Sequence, residues 1–231
     1  MAYPVTLGTL SERVLQRANL EGASSFIKPY ELTDLINGSV AEWVDEVRGT
    51  TWNGTYSRSS YAFSSVSNQQ LYDLPPDFLT LLSVDVFIAG GSPVISAKPY
   101  QEEQRNAFRN MPVMFGWGFS HPVYYQVQGD KLSFIPIPQG AYSITLNYVP
   151  TAPRLEDAND AIDSINGWEE FIVLDSAIKC LLKTGSVDMV PQLGQRLEQQ
   201  RQRIRAMAPR RDQSGAERVH VVQNVSDGWD Y

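Results

Sequence analysis

The stretch Asn166-Gly167-Trp168-Glu169-Glu170-Phe171-Ile172-Val173-Leu174-Asp175-Ser176-Ala177-Ile178-Lys179-Cys180-Leu181-Leu182 decides how this chain is read. Trp168, Phe171, Leu174, Ile178, Leu181 and Leu182 recur at spacings of three and four, the period that lines one face of a helix, and Gly185 stands where such a helix would stop. Asn166 and Glu169 have the spacing of an N-cap and its reciprocal acid, which places the helix start there.

Working outward, a following helix starts near Asp188, carries Leu193, Leu197, Ile204 and Met207, and ends before Pro209. Two more helices lie at the opposite end of the chain. In the first, Thr9 and Glu12 have capping-box spacing, and Leu7, Leu10, Val14, Leu15 and Ala18 share a face until Gly22. In the second, Pro29 suits the first turn, and Leu32, Leu35, Ile36, Val40, Trp43, Val44 and Val47 form the stripe until Gly49. Each helix has one apolar face, so the four are expected to bury those faces together.

Between the helical ends the pattern changes to short β-rich runs separated by Gly, Pro, Asn and Ser, such as Tyr61 to Val66 and Leu79 to Ile88. Gly129-Asp130 divides Val123–Val127 from Leu132–Ile135 as a hairpin turn would, and Tyr142, Ile144, Leu146 and Tyr148 alternate as in a strand. Lys98 to Phe108 is expected to be a short helix among these strands. The fold class is therefore α+β, with residues 1–49 and 151–209 forming a helical bundle, 50–150 a large β-rich insertion, and 210–231 an extended C-terminal arm.

Hydrophobic residues make up 42% of the chain, charged residues 19% and aromatics 11%, which is too apolar for disorder along most of its length. The net charge of −7 opposes nucleic-acid affinity spread over the whole surface. That charge is uneven. From Arg196 to Arg218 seven arginines face three acids, so this segment is +4 and the remainder −11. No run approaches the ~18 apolar residues of a membrane span, the first ten residues lack the pattern of a secretory leader, and the single Cys180 has no thiol partner; cytosolic folding without membrane contact is the expectation.

Catalytic chemistry is poorly supplied. His121 and His220 are the two histidines, and neither stands in a set that would hold a metal or build a triad. Gly90-Gly91 and Gly116-Trp117-Gly118 lack the spacing of a phosphate cradle and read as turn glycines. Glu156, Asp157, Asp160 and Asp163 do not have EF-hand spacing and read as a solvated lead-in to the helix at Trp168. No catalytic residue, metal or cofactor is expected. Arg196, Arg201, Arg203 and Arg205 are interleaved with Gln and Glu rather than with stacking aromatics, which favours a solvated or intersubunit face over nucleic-acid binding. Trp229 and Tyr231 end a tail that has no amphipathic helix, and exposed aromatics there point to a partner.

Several phrases resemble the head-to-tail adaptor (connector) family of tailed bacteriophages, which includes tail tubular and head-completion proteins. They are Ala18-Asn19-Leu20-Glu21-Gly22, Glu31-Leu32-Thr33-Asp34-Leu35-Ile36-Asn37, the run from Tyr125 to Pro138 (YQVQGDKLSFIPIP), and Leu146-Asn147-Tyr148-Val149-Pro150 before the acidic lead-in to Trp168. The resemblance spans nearly the whole chain.

It implies a structural virion protein: a homo-oligomeric ring of twelve subunits under the dodecameric portal, with the bundle as ring wall around a channel through which viral DNA passes without sequence-specific binding. The C-terminal extension would reach the portal, which makes Arg210, Arg211, Arg218, Val219, His220, Val221, Val222, Val225, Trp229 and Tyr231 the expected portal-docking residues. Arg196, Arg201, Arg203 and Arg205 would meet acidic groups of neighbouring subunits. A downstream tail or nozzle protein is the third partner. The large β region departs from many relatives. The alternatives are a tail terminator or baseplate protein, which the helical bracket and basic final helix disfavour, and a carbohydrate-binding tail module, for which Glu102 and Glu103 are adjacent but nothing sets them across a substrate.

Overall fold

A computed structural model describes residues 3–22, 26–50, 58–87, 94–109, 123–164 and 166–208. The elements run β1 (Tyr3–Thr6), α1 (Leu7–Arg17), α2 (Pro29–Thr50), β2 (Ser59–Ser64), β3 (Leu71–Asp73), β4 (Phe78–Phe87), β5 (Val94–Ser96) and β6 (Lys98–Pro99). After a 3₁₀ turn at Glu102–Gln104 come α3 (Arg105–Arg109), β7 (Tyr124–Gln128), β8 (Lys131–Ile135), β9 (Ser143–Pro150), β10 (Ala161–Ser164), α4 (Glu170–Thr184) and α5 (Val190–Met207). Helices and sheets are both extensive, and helices stand at both ends, so the α+β class read from the sequence is the observed one.

Buried apolar side chains fall into two clusters. One gathers α1, α2, α4 and α5 together with Val5, Leu155 and Ile162; the other lies between the sheets. At the middle of the first is α4, in which Phe171 through Ala177 are all buried. The expected single stripe is thus too narrow: Ile172, Val173 and Ala177 are buried as well, because α4 packs on α1, α2 and α5. Leu182, assigned to the stripe, is 57% exposed near the end of the helix. Each fully buried Leu, Ile or Phe contributes on the order of 1.5–3 kcal/mol, so this helix anchors the bundle.

The helix ends follow local chemistry, with corrections. α2 starts at Pro29 as expected, and the Lys28 N–H donates to the Glu31 carboxylate at 3.1 Å. Gly185 ends α4 in the left-handed conformation, φ +75°. The start of α4 differs from the expectation. Asn166 lies at φ +54° in a preceding turn, the helix begins at Glu170, and Glu169 spends its carboxylate on the Ser164 hydroxyl and on Arg13. In α1 the cap is Thr6, whose hydroxyl accepts from Thr9 N–H at 3.2 Å, so the Thr9/Glu12 capping box does not form. That helix also stops at Arg17 rather than running to Gly22, closed by Asn19 at φ +56° and by a bond from Leu20 N–H to Leu15 C=O.

The strand β1 explains the shift of the cap. It pairs antiparallel with β10, Val5 opposite Ile162, and runs straight into α1, whose first free donors Leu7 N–H and Gly8 N–H are accepted by the carbonyls of Asp160 and Ala158. Neither strand was expected. The chain enters the bundle a second time through Leu155, whose N–H and C=O are both held at 2.8 Å by the side-chain amide of Asn37.

Among the described residues the β region forms two four-stranded sheets, ordered β2-β9-β4-β5 and β3-β8-β7-β6, antiparallel except for the β6/β7 pair. Val84, Val86, Ile144, Leu146 and Tyr148 from one sheet share a core with Tyr72, Leu132 and Phe134 from the other. The expected hairpin is β7/β8, turning at Gly129 with φ +63°. Lys98–Phe108, expected as one helix, divides into the short strand β6, the 3₁₀ turn and α3.

Moving the cap to Thr6 makes a testable distinction. Thr6→Ala is expected to lower unfolding stability in urea by about 1 kcal/mol, whereas Glu12→Gln on the exposed face should change it by less than about 0.5 kcal/mol. The reverse order would restore the capping box.

Candidate interaction surfaces

The arginines of α5 come to lie beside α2. Arg201 Nε is 3.3 Å from one carboxylate oxygen of Glu46, and Arg205 binds both oxygens of the same group. Arg201 also pairs with Glu198 at 3.1 Å and lies 5.6 Å from the centroid of the Phe171 ring. The hydrogen bond from Arg205 to Glu46, reinforced by their charges, holds the Arg205 guanidinium above its usual range. Arg203 donates to the Asn166 carbonyl at 3.1 Å, and Arg196 is exposed. Of the four arginines read as intersubunit contacts, Arg201 and Arg205 therefore have an acidic partner inside the subunit, and Arg203 has a backbone one. Glu42, Asp45, Glu46, Gly49, Phe171 and these two arginines line an open groove where α2, α4 and α5 meet.

Sequence reasoning missed Glu46. It is an acid three residues from Trp43, at the margin of an apolar stripe, where a carboxylate needs a cation. Two further polar features also went unread. Gln200 takes the core position between Leu197 and Ile204 and donates to the Gly167 carbonyl at 3.0 Å. Between α2 and α4, Ser39 donates to buried Asp175 at 2.6 Å, while Lys179 reaches Asp175 at 2.7 Å, Glu42 at 2.7 Å and Ser39 at 3.2 Å. Burial works to lower the Lys179 pKa, but the hydrogen bonds and charges of Asp175 and Glu42 outweigh it and leave it raised. All three ammonium protons have acceptors, which is what a partly buried cation requires.

In the acidic run before α4, Glu156, Asp157 and Asp163 are exposed, as expected of a solvated lead-in, and Asp160 has a structural role besides. The Asp160 carboxylate accepts from Glu156 N–H at 2.8 Å and Asp157 N–H at 2.9 Å, closing the turn whose carbonyls cap α1. Asp163 lies on the outer face of β10. Among the described residues no group of three or more His, Cys, Asp or Glu is gathered as a metal site. Glu102, one of the two adjacent acids, pairs with Arg105 at 2.8 Å. Cys180 is fully buried, and burial pushes its thiol up to about 11, which keeps it protonated at neutral pH. His121, His220, Gly90-Gly91, Gly116-Trp117-Gly118 and every residue assigned to portal docking, from Arg210 to Tyr231, lie outside the described residues. No helix among the described residues is long and apolar enough to cross a membrane.

Backbone hydrogen bonds from Asp157 and Glu156 depress the Asp160 pKa below its ordinary value. The sign follows from linkage: a depressed carboxylate contributes stability that is present above the unfolded pKa and is lost as pH falls through the folded one. Thermal melting of the protein is expected to drop on acidification below about pH 4. Asp160→Asn keeps an acceptor without the charge, so it should melt lower at pH 7 and approach the parent as pH falls; a constant gap across the titration would contradict this.

The sequence model of the family described as SU10 adaptor protein matches residues 5–223, from β1 through α5 and beyond. A comparison with curated proteins gave no match. A match over that span covers both hydrophobic cores and the arginine-bearing final helix. The chain belongs to the SU10 adaptor protein family and is a phage adaptor protein.

Proposed function

We propose that this adaptor forms a closed ring of twelve copies beneath the portal, joins the head to the tail and continues the DNA channel as part of the virion. The observation that carries this reading is the family match across residues 5–223, which takes in the helical bracket, the β region and much of the C-terminal arm together. In this reading residues 1–49 and 151–209 form the ring wall, 50–150 are a β-rich insertion carried by it, 210–231 dock on the portal, and a downstream tail or nozzle protein is the further partner. The same match favours an adaptor over a tail terminator, a baseplate protein or a carbohydrate-binding module.

Closing a ring takes two unlike surfaces on each subunit that fit each other. Arg196 and Arg203 on the outer side of α5 can meet acidic groups of an adjacent copy, while Arg201 and Arg205 hold α5 to α2 and act at the interface through Glu46. The net charge of −7 suits a wall that DNA slides past without adhering. The protein is a structural component without catalytic activity, metal or cofactor. Trp229 and Tyr231 supply the aromatic area that anchors the arm, and several tethered arms bind the portal together far more tightly than one.

Mass measurement of the purified portal–adaptor complex tests this directly. Twelve adaptors per portal is the expected result. One or two copies per portal would contradict the ring.

A further inference from the structure

Sheet edges are templates for another chain, and proteins blunt them with short strands, proline, charge or bulges. Most edges here are blunted. β6 is Lys98–Pro99, β5 and β3 are three residues each, and β3 ends in Asp73, which is paired with Lys131. In the two-stranded sheet β1 contains Pro4 and β10 contains Asp163. The exception is β2. Its six residues, Ser59-Ser60-Tyr61-Ala62-Phe63-Ser64, hold no charge and no proline, and they pair with β9 residue for residue without a bulge. Among the described residues β9 is its one strand neighbour. Its inner face is apolar and incompletely covered: Phe63 packs on Tyr72 of the other sheet with ring centroids 5.1 Å apart, and Tyr61 stacks on Phe63 but remains 41% exposed.

The sequence itself contains a segment of matching composition. Arg218-Val219-His220-Val221-Val222-Gln223-Asn224-Val225 is rich in β-branched residues and has neither Gly nor Pro; an extended conformation would put Val219, Val221, Gln223 and Val225 on one face and Arg218, His220, Val222 and Asn224 on the other. The arm and the edge also leave from one end of the bundle. Arg205, near the end of α5, is bound to Glu46, near the end of α2, and eight residues separate the last residue of α2 from β2. Nine residues lie between Ala208 and Arg218, a span of about 30 Å when extended.

We infer that Arg218–Val225 of one copy adds as a strand to the edge of β2 opposite β9 in the adjacent copy, with Val219 and Val221 covering Tyr61 and Phe63. Strand addition draws affinity from main-chain hydrogen bonds and specificity from alternate side chains. Donation to the next copy supplies the two unlike, complementary surfaces that a head-to-tail ring needs; it takes Arg218 to Val225 from the portal-docking set and leaves portal contact to the rest of the arm, Trp229 and Tyr231 included. The inference rests on the ring reading only in taking the acceptor to be an adjacent copy.

A fluorescent peptide of residues 215–231 is titrated into the full chain carrying Val221→Pro, which blocks pairing by its own arm, with no portal present. Saturable binding is expected, weakened at least tenfold by Tyr61→Lys in the protein and abolished by Val221→Pro in the peptide, while the melting temperature of the Tyr61→Lys protein stays within a few degrees of the parent. Absence of saturable binding, or binding indifferent to both changes, would overturn the inference whatever the portal does. The full chain is then tested with Ser60→Cys combined in turn with His220→Cys, Val221→Cys and Val222→Cys, oxidised in the portal complex; buried Cys180 gives a silent background. A reducible ladder of adaptor multimers is expected for at least one pair. Cross-links confined to single chains, or none with any pair, would overturn donation between copies. Portal co-purification, read from the same samples, reports separately on the adaptor reading.

Discussion

The side-chain amide of Asn37 grips both peptide groups of Leu155, N–H and C=O, at 2.8 Å each, and the bundle depends on that grip. Helices α1 and α2 are made before the chain leaves for the β region, and α4 and α5 after it returns, so half of the apolar surface in the bundle waits for the other half. An amide that imitates a neighbouring strand gives the returning backbone one address. The fully buried Leu155 side chain makes that address costly to leave. A few residues later β10 pairs with β1, and the turn closed by Asp160 caps α1. The return of the chain is thereby locked to its beginning before α4 enters the centre.

That centre is apolar on almost every side, and apolar packing alone specifies register weakly. Polar groups supply what is missing. Ser39, Glu42, Asp175 and Lys179 tie the middle of α2 to α4, Lys183 and Glu31 tie their ends, and Glu46 ties α2 to α5. Sliding α4 along α2 by one turn would keep the Asp175–Lys179 pair but take buried Asp175 from the Ser39 hydroxyl and Lys179 from Glu42 and Ser39, leaving the pair short of hydrogen-bond partners. These contacts favour a single register of α2, α4 and α5.

Wherever a segment reports its own local physics, the sequence is readable. The stripe of α2, the glycine stop of α4 and the β7/β8 turn at Gly129 all follow from period or backbone conformation, and each stands where expected. What escaped depends on distant pairing. β1 and β10 are four residues each, contain Pro4 and Asp163, and become strands only because they meet each other. The cap of α1 moved to Thr6 for the same reason. Glu46, Asn37 and Gln200 look like ordinary helix polars until the opposing element is known. The family resemblance was legible because it rests on contiguous phrases, whereas the groove of Glu46, Arg201 and Arg205 is assembled from separated ones.

Native-state hydrogen exchange at the Leu155 amide tests most directly whether the return is part of one cooperative bundle. Its exchange should require the same opening as the interior amides of α4, such as those of Leu174 and Ala177, so all three should report one free energy that falls together in dilute denaturant. If Leu155 exchanges roughly a hundredfold or more faster while α4 stays protected, the return segment opens by itself and does not hold the bundle together.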